Sequence, residues 1–284
     1  MSIQFSPVLG SHTRRIGKAF ETLSVDLGPL GERASPIVVL DDFRVSAPTF
    51  GPHPHAGFSA VTYVFEDSKG DLRSRDSLGN DIVMGPGGIV WSQAGAGMMH
   101  EELPAQGGQE LHGAQIFVNL SSKKKFAQPQ ILQLRRDDIP EWRNETGDRV
   151  RVAVGSFKGV SSPLVPAEPF GLLDVQLQRR IDFHLPDDHN ALLYVNQGEI
   201  LVQAGRHQQT LKHGSALALH GAGGGGNVTI ESNHSAQLLI LSGAEIHEEM
   251  HMHGPFIMND RSQISTAFAR FQAGEMGRLD PLFR

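Results

Sequence analysis

The chain has 284 residues, of which 39% are hydrophobic and 20% charged, with a formal net charge of −6 and a pI near 6.1. This composition is typical of a globular protein that forms one large or two medium domains. The acidic balance disfavours direct binding to nucleic acid or to an anionic membrane surface, and the absence of cysteine excludes disulfides, thiolate ligands and cysteine nucleophiles.

The amino-terminal segment up to Lys18 lacks the apolar core of a signal peptide. Elsewhere the sequence has no apolar run of the roughly 18 residues that a membrane-spanning helix needs. We therefore expect a cytoplasmic protein without membrane association.

Short apolar runs follow one another along the chain. The 32 glycines and 16 prolines are spread between them rather than clustered. Runs bounded by such turn residues are typical of strands. The predicted strands include 36–40, 60–65, 88–91, 114–120 and 237–241. We interpret the chain as all-β.

A weak internal repeat relates the two halves of the chain. Tyr63 and Tyr194 are each followed by valine and, further on, by a glycine-led apolar run, 85–91 in the first half and 214–219 in the second. Such a repeat predicts two tandem β-barrels of jelly-roll type. The expected divisions are a first domain at 1–130, a polar linker at 131–146 and a second domain at 147–284.

The first chemical motif is His53-Pro54-His55. In an extended strand, side chains two apart point to the same face, so both imidazoles are aimed the same way. Pro54 removes a backbone donor and fixes its own φ, which predicts an edge strand or a stiff extended turn. Such a rigid pair suits a metal ion, although the tripeptide alone is also common where no metal binds.

The second motif is led by Gly97, which is expected to form a tight turn that feeds a strand carrying His100. Glu102 then lies on the same face as His100, and Glu101 points the opposite way. The alternative interpretation is a histidine beside a solvated acidic pair.

Together, the two motifs offer three imidazoles and one carboxylate. Nitrogen and oxygen donors suit Fe, Mn, Co, Ni, Cu or Zn, and an octahedral ion held by four of them keeps two open positions. Open positions indicate chemistry rather than structural support alone.

Other polar motifs carry different expectations. The basic run Lys123–Lys125 predicts a solvated loop. His112 and Gln115 are expected near the pocket, His112 as a core or supporting histidine rather than a ligand. A minor alternative metal site repeats the His-x-His spacing without a second glycine-led histidine: His247, Glu248, Glu249, His251 and His253.

Near the end of the chain, the segment 262–274 places Ile264, Phe268 and Phe271 at spacings that fit one helical face. Gly274 is a typical helix stop. We expect a short carboxy-terminal helix that packs on a barrel and carries no chemistry.

The two histidine motifs resemble those of the cupin superfamily, and the surrounding sequence resembles one family within it, the pirins. The similar segments span most of the chain: 51–58 (GPHPHAGF), 75–80 (RDSLGN), 84–88 (MGPGG), 94–104 (AGAGMMHEELP), 115–120 (QIFVNL) and 254–259 (GPFIMN). The resemblance implies a bicupin whose metal site lies in the amino-terminal barrel.

By this resemblance four residues hold the metal: His53, His55, His100 and Glu102. Glu102 also serves as the catalytic base, since a carboxylate beside a cation can accept a phenolic proton. The general cupin pattern has a glutamate soon after the first pair, where this chain has serine and alanine. In the second half, His184 and Pro186 stand where the first pair would be, so the site there is expected to be lost.

Three positions depart from the pattern of the family. Ala56 stands where many relatives have arginine, Ser59 where they often have glutamate, and Ser74 where many bacterial relatives have histidine. We expect these residues near the pocket, where they affect substrate preference more than metal binding.

Pirins are known for flavonol 2,3-dioxygenase (quercetinase) activity, so the resemblance implies a small flavonol-like aromatic substrate and O2. One divalent transition metal ion is implied, Fe(II) first, with Mn, Co, Ni, Cu or Zn as alternatives. In the implied reaction the flavonol binds through its 3-hydroxyl and O2 cleaves the heterocycle with release of carbon monoxide.

Two further hypotheses stay open. The first is a metal-binding regulatory protein that acts through a transcriptional or metabolic protein partner without significant catalysis. The second, a cupin isomerase or epimerase, fits the fold but not the pirin segments.

Overall fold

The structure is a computed structural model, and it describes residues 2–283. Its strands are β1 (Ser2–Phe5), β2 (Leu9–Ile16), β3 (Phe20–Val25), β4 (Ile37–Val45), β5 (His53–His55), β6 (Phe58–Val64), β7 (Leu72–Asp76), β8 (Asp81–Met84), β9 (Ile89–Gln93), β10 (Met98–Pro104), β11 (Leu111–Asn119), β12 (Gln130–Leu134), β13 (Glu141–Arg143), β14 (Arg149–Val154), β15 (Ser156–Phe157), β16 (Val160–Ser161), β17 (Phe170–Leu177), β18 (Arg180–Leu185), β19 (His189–Gln197), β20 (Glu199–Ala204), β21 (His207–Lys212), β22 (Ser215–Ala222), β23 (Gly226–Glu231), β24 (Ala236–Ala244), β25 (His251–His253) and β26 (Phe256–Met258). The helices are α1 (Arg261–Gln272) and two short 3-10 turns, Gly28–Ala34 and Arg136–Asp138.

The all-β prediction is confirmed. The five apolar runs predicted as strands overlap β4, β6, β9, β11 and β24 to within one residue. The segment predicted as a polar linker holds most of β12, one of the 3-10 turns and β13, so it too has regular structure.

The described chain folds into two compact units. The N-unit consists of 13–23, 39–136 and 247–283, and the C-unit of 2–12, 24–38 and 137–246. Each unit gathers segments that are far apart in sequence, whereas the divisions at 130 and 147 follow the chain linearly; those divisions stay a prediction.

The N-unit contains two antiparallel sheets. One includes the strand order β12-β9-β6-β11-β4, and the other has the order β5-β10-β7-β8. The short strand β5 lies at a sheet edge, as the proline in its centre predicts. Apolar side chains from both sheets form a common core: Phe43, Val45, Val64, Leu72, Met84, Val90 and Leu111.

The C-unit has the same plan, with the strand orders β22-β19-β24-β17-β14-β13 and β18-β23-β20-β21. Aliphatic side chains fill its interior, including Val150, Leu193, Val202, Leu217 and Ile230. His184 is exposed, and its ring contacts Asn227 Oδ1 at 3.1 Å on the surface. The predicted loss of the metal site in this half stays a prediction.

The segment after the second barrel returns to the N-unit because its apolar side chains are buried there. Phe256 and Met258 of β26 pack with Ala56, next to the first histidine motif. The predicted helix is confirmed as α1, whose amino-terminal cap, Asp260, accepts a hydrogen bond from the backbone of Gln263 at 2.8 Å.

The expectation of a fully solvated basic run is wrong for one of its three lysines. Lys123 is exposed, but Lys125 is completely buried because backbone and side-chain oxygens surround its ammonium group. Within residues 2–283, no helix is both long and apolar enough to cross a membrane. The cytoplasmic location stays a prediction.

Candidate metal centre

The two histidine motifs lie side by side on paired strands. Strands β5 and β10 are antiparallel neighbours, with His53 directly opposite His100 and His55 opposite Met98. A turn precedes β10, in which the backbone of Gly97 donates to Ala94 at 2.8 Å, as the glycine predicted. This register brings residues 45 and more positions apart in sequence onto one face of one sheet.

The three histidines form a compact group of donors. Their ligand atoms all lie within 4.8 Å of one another. His53 Nε2 and His100 Nε2 are 3.0 Å apart, and the ring centroid of His55 is 4.5 Å from that of His100 and 4.8 Å from that of His53. Each ring is therefore within reach of one common point.

The hydrogen bonds of His53 define which nitrogen faces the group. Its Nδ1 donates to the carbonyl oxygen of Gly51 at 2.9 Å, since a carbonyl can only accept. Its Nε2 then carries the lone pair, and it is this atom that faces His100. A ligating histidine has this arrangement: one nitrogen is fixed by a backbone carbonyl and the other is free for a metal.

Burial keeps the three imidazoles neutral. Desolvation lowers the pKa of His55 to about 3, with a smaller contribution from nearby His53. Desolvation also lowers the pKa of His53 and, well below its ordinary value, that of His100. A metal competes with protons for imidazole nitrogen, so a neutral cluster is ready to bind one near neutral pH.

Glu102 lies in the same cavity wall as the histidines but outside their compact group within residues 2–283. Its Oε2 accepts a hydrogen bond from Thr62 Oγ1 at 2.6 Å. Burial raises the pKa of Glu102 to about 7, and hydrogen bonds from Thr62 and Ser74 lower it only in part. Its role as fourth ligand and as base stays a prediction.

The neighbouring carboxylate, Glu101, points the opposite way, as predicted. It is buried, and its Oε2 accepts a hydrogen bond from Arg75 at 2.8 Å. Because of the two-residue alternation of β10, His100 and Glu102 share the cavity face while Glu101 pairs with the neighbouring strand β7.

A cavity of about 510 Å³ opens beside the histidines. Alternate residues of two strands line it, including Phe43 and Val45 from β4, and Leu111 and Phe117 from β11. Phe20 contacts Phe50 edge to face, with centroids 5.2 Å apart. Besides the histidines and Glu102, the polar side chains that line the cavity are Asp41, Thr49 and Gln115.

Thr62 and Gln115 link the carboxylate of Glu102 to strands β6 and β11. They are direct cross-strand partners on β6 and β11, with Thr62 Oγ1 3.2 Å from Gln115 Oε1. Gln115 Nε2 donates to the carbonyl of Val61 at 3.1 Å. The sequence predicted Gln115 near the pocket but gave no indication of Thr62, because every residue of β6 is buried and no alternation marks its inner face.

The other candidate histidines have different environments. His112 is buried behind the cavity wall, where Nδ1 contacts Asp67 Oδ1 at 2.6 Å and Nε2 contacts Asp42 Oδ1 at 2.9 Å. This agrees with a core histidine rather than a ligand. In the alternative cluster, His251 Nε2 donates to Glu249 at 2.9 Å on the surface, and the ring of His253 packs on Phe268.

These residues fit a metal ion. His53 Nε2 and His100 Nε2 lie 3.0 Å apart. His53 Nε2 carries a lone pair, and His100 Nε2 offers a second one in the tautomer that has its proton on Nδ1, so one cation can bind both atoms. The donors are nitrogen and oxygen, which agrees with a divalent transition ion and does not select one member of the series.

The Pirin family model matches residues 30–118, and the model of the pirin C-terminal cupin domain matches residues 172–277. The chain belongs to the pirin family. A Pseudomonas aeruginosa protein named "Putative quercetin 2,3-dioxygenase" is 34% identical to this pirin over 260 residues, which cover 87% of this chain and 88% of that protein. A "Pirin-like protein" of Caulobacter vibrioides is 34% identical, with 87% of this chain and 89% of that protein covered.

The crystal structure of a quercetin 2,3-dioxygenase from Acinetobacter baumannii has the same fold as this pirin. It superimposes with a TM-score of 0.87 at 25% identity, over 99% of this chain and 100% of that one. The prediction of a bicupin with a short carboxy-terminal helix is confirmed.

The three departures from the family pattern have different surroundings in this pirin. Ser74 hydrogen-bonds Glu102, so it bears directly on the candidate carboxylate ligand. Ala56 is completely buried and forms a bridge with Phe256. Ser59 is buried in β6, and its Cα pairs with that of Val118.

Proposed function

We propose that this pirin is a metal-dependent dioxygenase that opens the heterocyclic ring of flavonols with O2. The observation that carries the proposal is a group of three neutral imidazoles in the wall of an apolar, aromatic-lined cavity of about 510 Å³. Pockets of roughly 300–1,000 Å³ hold small organic ligands. The names of the Pseudomonas and Acinetobacter relatives, which both contain "quercetin 2,3-dioxygenase", support the same reaction.

The proposed metal ligands are the three histidines and one carboxylate: His53, His55, His100 and Glu102. Fe(II) is the first expectation, and Mn, Co, Ni, Cu or Zn fit the same donors. When bound, such an ion supplies the Lewis acidity and the meeting point for substrate and O2 that the reaction needs.

Glu102 is proposed to take the proton of the 3-hydroxyl as the flavonol binds. Its carboxylate is held by Thr62 and Ser74, and burial raises its pKa to about 7, which suits a group that gains and loses a proton near neutral pH. Overall, both atoms of O2 enter the ring-opened ester and one ring carbon leaves as carbon monoxide. No external reductant is therefore required.

The cavity walls are proposed to orient the substrate and exclude water. Phe43 and Phe117 offer flat apolar surfaces on two strands, and Phe20 with Phe50 forms an edge-to-face pair. Aromatic side chains pack well on planar rings. Fixing the flavonol beside the histidines makes its ring cleavage effectively intramolecular.

The test uses protein purified without a chelating tag or column. Elemental analysis should find about one equivalent of a transition metal, and the protein should bleach quercetin under air but not under argon. His100→Ala and Glu102→Ala should lose turnover, and His100→Ala should also lose metal. His184→Ala is the matched control, because that histidine lies on the surface of the C-unit.

Two results together would contradict the enzyme hypothesis and favour a metal-binding regulatory protein. They are metal-loaded protein that turns over no flavonol, and recovery of a stoichiometric protein partner. Unchanged turnover in His100→Ala would contradict the proposed site.

A further inference from the structure

Lys125 is completely buried in the N-unit. Its Nζ donates to the carbonyl oxygens of Gly57 and Ile257, each at 3.0 Å, and to Asn119 Oδ1 at 2.7 Å. A lysine ammonium has three donors, which these three acceptors match in number. A charge taken out of water is tolerated only when it is hydrogen-bonded in this way, so the geometry around Lys125 is specific.

The three acceptors come from three separate segments. Gly57 follows β5, which carries the first two histidines; Asn119 ends β11; and Ile257 lies in β26, after the second barrel in sequence. A single ammonium therefore joins the histidine strand to the returning carboxy-terminal segment. Loss of this side chain would release both backbone carbonyls at once.

The backbone immediately after His55 is held from several directions. The carbonyl of Ala56 accepts from Ile257 N at 3.1 Å, and Gly57 N donates to the carbonyl of Gly95 at 2.8 Å. The latter bond directly joins the segment after β5 to the turn before β10. The two residues that follow His55 are therefore held by β26, by the turn before β10 and by Lys125.

The backbones at Gly57 and Ile257 lie too close together for a side chain to fit between them. Gly57 has a φ of +84°, and a Cβ there would lie 1.9 Å from the carbonyl oxygen of Ile257. Lys125 binds both of the carbonyls involved. Its ammonium lies where two backbone oxygens of different segments converge, and it offsets the repulsion between them.

We propose that Lys125 is a positioning residue for the metal centre: it fixes the backbone at Gly57 and Ile257 and thereby the direction of the His55 ring. Metal–nitrogen bonds tolerate displacements of only about 0.2 Å. Small shifts of this backbone therefore weaken metal binding without removing a ligand. The proposal rests on the metal centre proposed above, but not on the identity of the substrate.

The experiment compares Co(II) affinity and Co(II) absorption spectra of the full-length wild type with those of three variants. Lys125→Met should lose affinity by about 10- to 100-fold, as when supporting residues of metal ligands are removed, and its spectrum should change. Lys123→Met, which removes the same charge from an exposed side chain of the same loop, should match the wild type.

Asn119→Ala separates positioning from stability. It removes one acceptor of the buried ammonium but leaves the bonds to Gly57 and Ile257. We expect a lower melting temperature with Co(II) affinity within about threefold of the wild type, a small loss relative to that of Lys125→Met. If Lys125→Met does not fold, Lys125→Gln, whose amide keeps two donors, replaces it with the same readouts.

Two results would overturn the proposal while leaving the metal centre intact. One is a folded Lys125→Met variant with wild-type Co(II) affinity and spectrum. The other is a loss of affinity in Lys125→Met and Asn119→Ala that simply follows their loss of thermal stability. Wild-type protein that binds no Co(II) overturns the metal centre and this proposal together.

Discussion

Thr62 donates a hydrogen bond of 2.6 Å to Glu102, and these two residues come from different sheets of the N-unit. Thr62 lies on β6, whereas Glu102 lies on β10 beside the histidines. The bond therefore crosses the barrel and aims the carboxylate from the side opposite its own strand. Removing a group that orients a metal ligand in this way typically lowers metal affinity by about 10- to 100-fold, so this bond matters if Glu102 is the fourth ligand proposed above.

Thr62→Val tests this relationship, because valine keeps the shape of threonine and removes the hydroxyl. We expect Co(II) affinity to fall by roughly tenfold, since the carboxylate loses a donor that favours its charged form. Competition titration measures the change. Thr49→Val is the control, because that hydroxyl lies in the cavity wall but donates to Ala47. Equal affinity in Thr62→Val and wild type would argue against Glu102 as a ligand.

Glu102→Gln tests the effect of burial on the carboxyl group in metal-free protein. Burial raises the pKa of Glu102 from 4.5 to about 7, so the folded state keeps its proton where the unfolded chain has lost it. The folded protein therefore loses stability as pH rises through this window, by about 3 kcal/mol in total at 1.36 kcal/mol per pKa unit. Above pH 7 we expect the free energy of unfolding of Glu102→Gln to exceed that of the wild type by up to this amount.

Urea unfolding with a chelator present, at pH values below and above this window, measures the difference between the two proteins. Saturating Co(II) is the control, because an ion bound to the carboxylate should reverse the order of stability above neutral pH. A difference that stays constant from acid to alkaline pH would contradict the raised pKa.

The parts of the site that sequence reasoning found are those fixed by strand periodicity. Two-residue alternation placed His53 with His55 and separated Glu101 from Glu102, and both arrangements are present in the structure. Proline in β5 correctly indicated a sheet edge. These features depend only on local backbone geometry, which a single segment of sequence determines.

The parts that sequence reasoning missed depend on contacts between distant segments. Thr62 lies on a strand buried on both faces, so no polar alternation marks it. Lys125 sits in a basic run that resembles a solvated loop, and its burial depends on Gly57 and Ile257. Both require knowledge of which strands meet across the barrel, which periodicity alone does not supply.

Gly57→Ala tests how closely β26 and the histidine strand must approach. The new Cβ would lie 1.9 Å from the Ile257 carbonyl oxygen, at a φ of +84°. Gly79→Ala is the matched control, because Gly79 has a φ of +96° and open space around it. We expect backbone strain of about 1–3 kcal/mol in both variants and a clearly larger loss, with loss of bound metal, in Gly57→Ala. Urea unfolding and elemental analysis measure the two effects; equal losses would show that the close approach is unimportant.

Asp148→Asn tests a buried carboxylate in the C-unit. Asp148 accepts hydrogen bonds from the backbone of Gln178 at 2.6 Å and Arg179 at 2.8 Å, and from the side chains of Asn144 and Thr146, each at 2.8 Å. Burial alone raises its pKa, but these hydrogen bonds outweigh burial and hold the pKa below its ordinary value.

A lowered carboxyl pKa stabilises the fold above the unfolded value of 3.8, and this stability is lost as pH falls through the lower folded value. We therefore expect Asp148→Asn to lose about 2–4 kcal/mol at neutral pH and less in acid. Urea unfolding at neutral pH and below pH 4 measures both. Asp137→Asn, at an exposed carboxylate, should leave stability unchanged. A loss of equal size at both pH values would contradict the hydrogen-bonded carboxylate.

Phe50→Ala tests whether the aromatic pair at the cavity contributes to substrate binding. Phe50 lines the cavity, is 45% exposed and contacts Phe20 edge to face, so we place it at the open side of the cavity. Removing its ring takes away apolar contact with a planar ligand but leaves the metal ligands and Glu102 in place. We expect KM for quercetin to rise by roughly tenfold, the equivalent of about 1.4 kcal/mol of aromatic contact. The value of kcat should change little, because the contact is the same in substrate and transition state.

Steady-state kinetics measures KM and kcat separately. Phe126→Ala is the control, because Phe126 is an exposed phenylalanine of the same unit outside the cavity lining; this variant should leave both constants unchanged. A fall in kcat with KM unchanged would instead place Phe50 close to the reacting atoms and contradict its assignment to the cavity mouth.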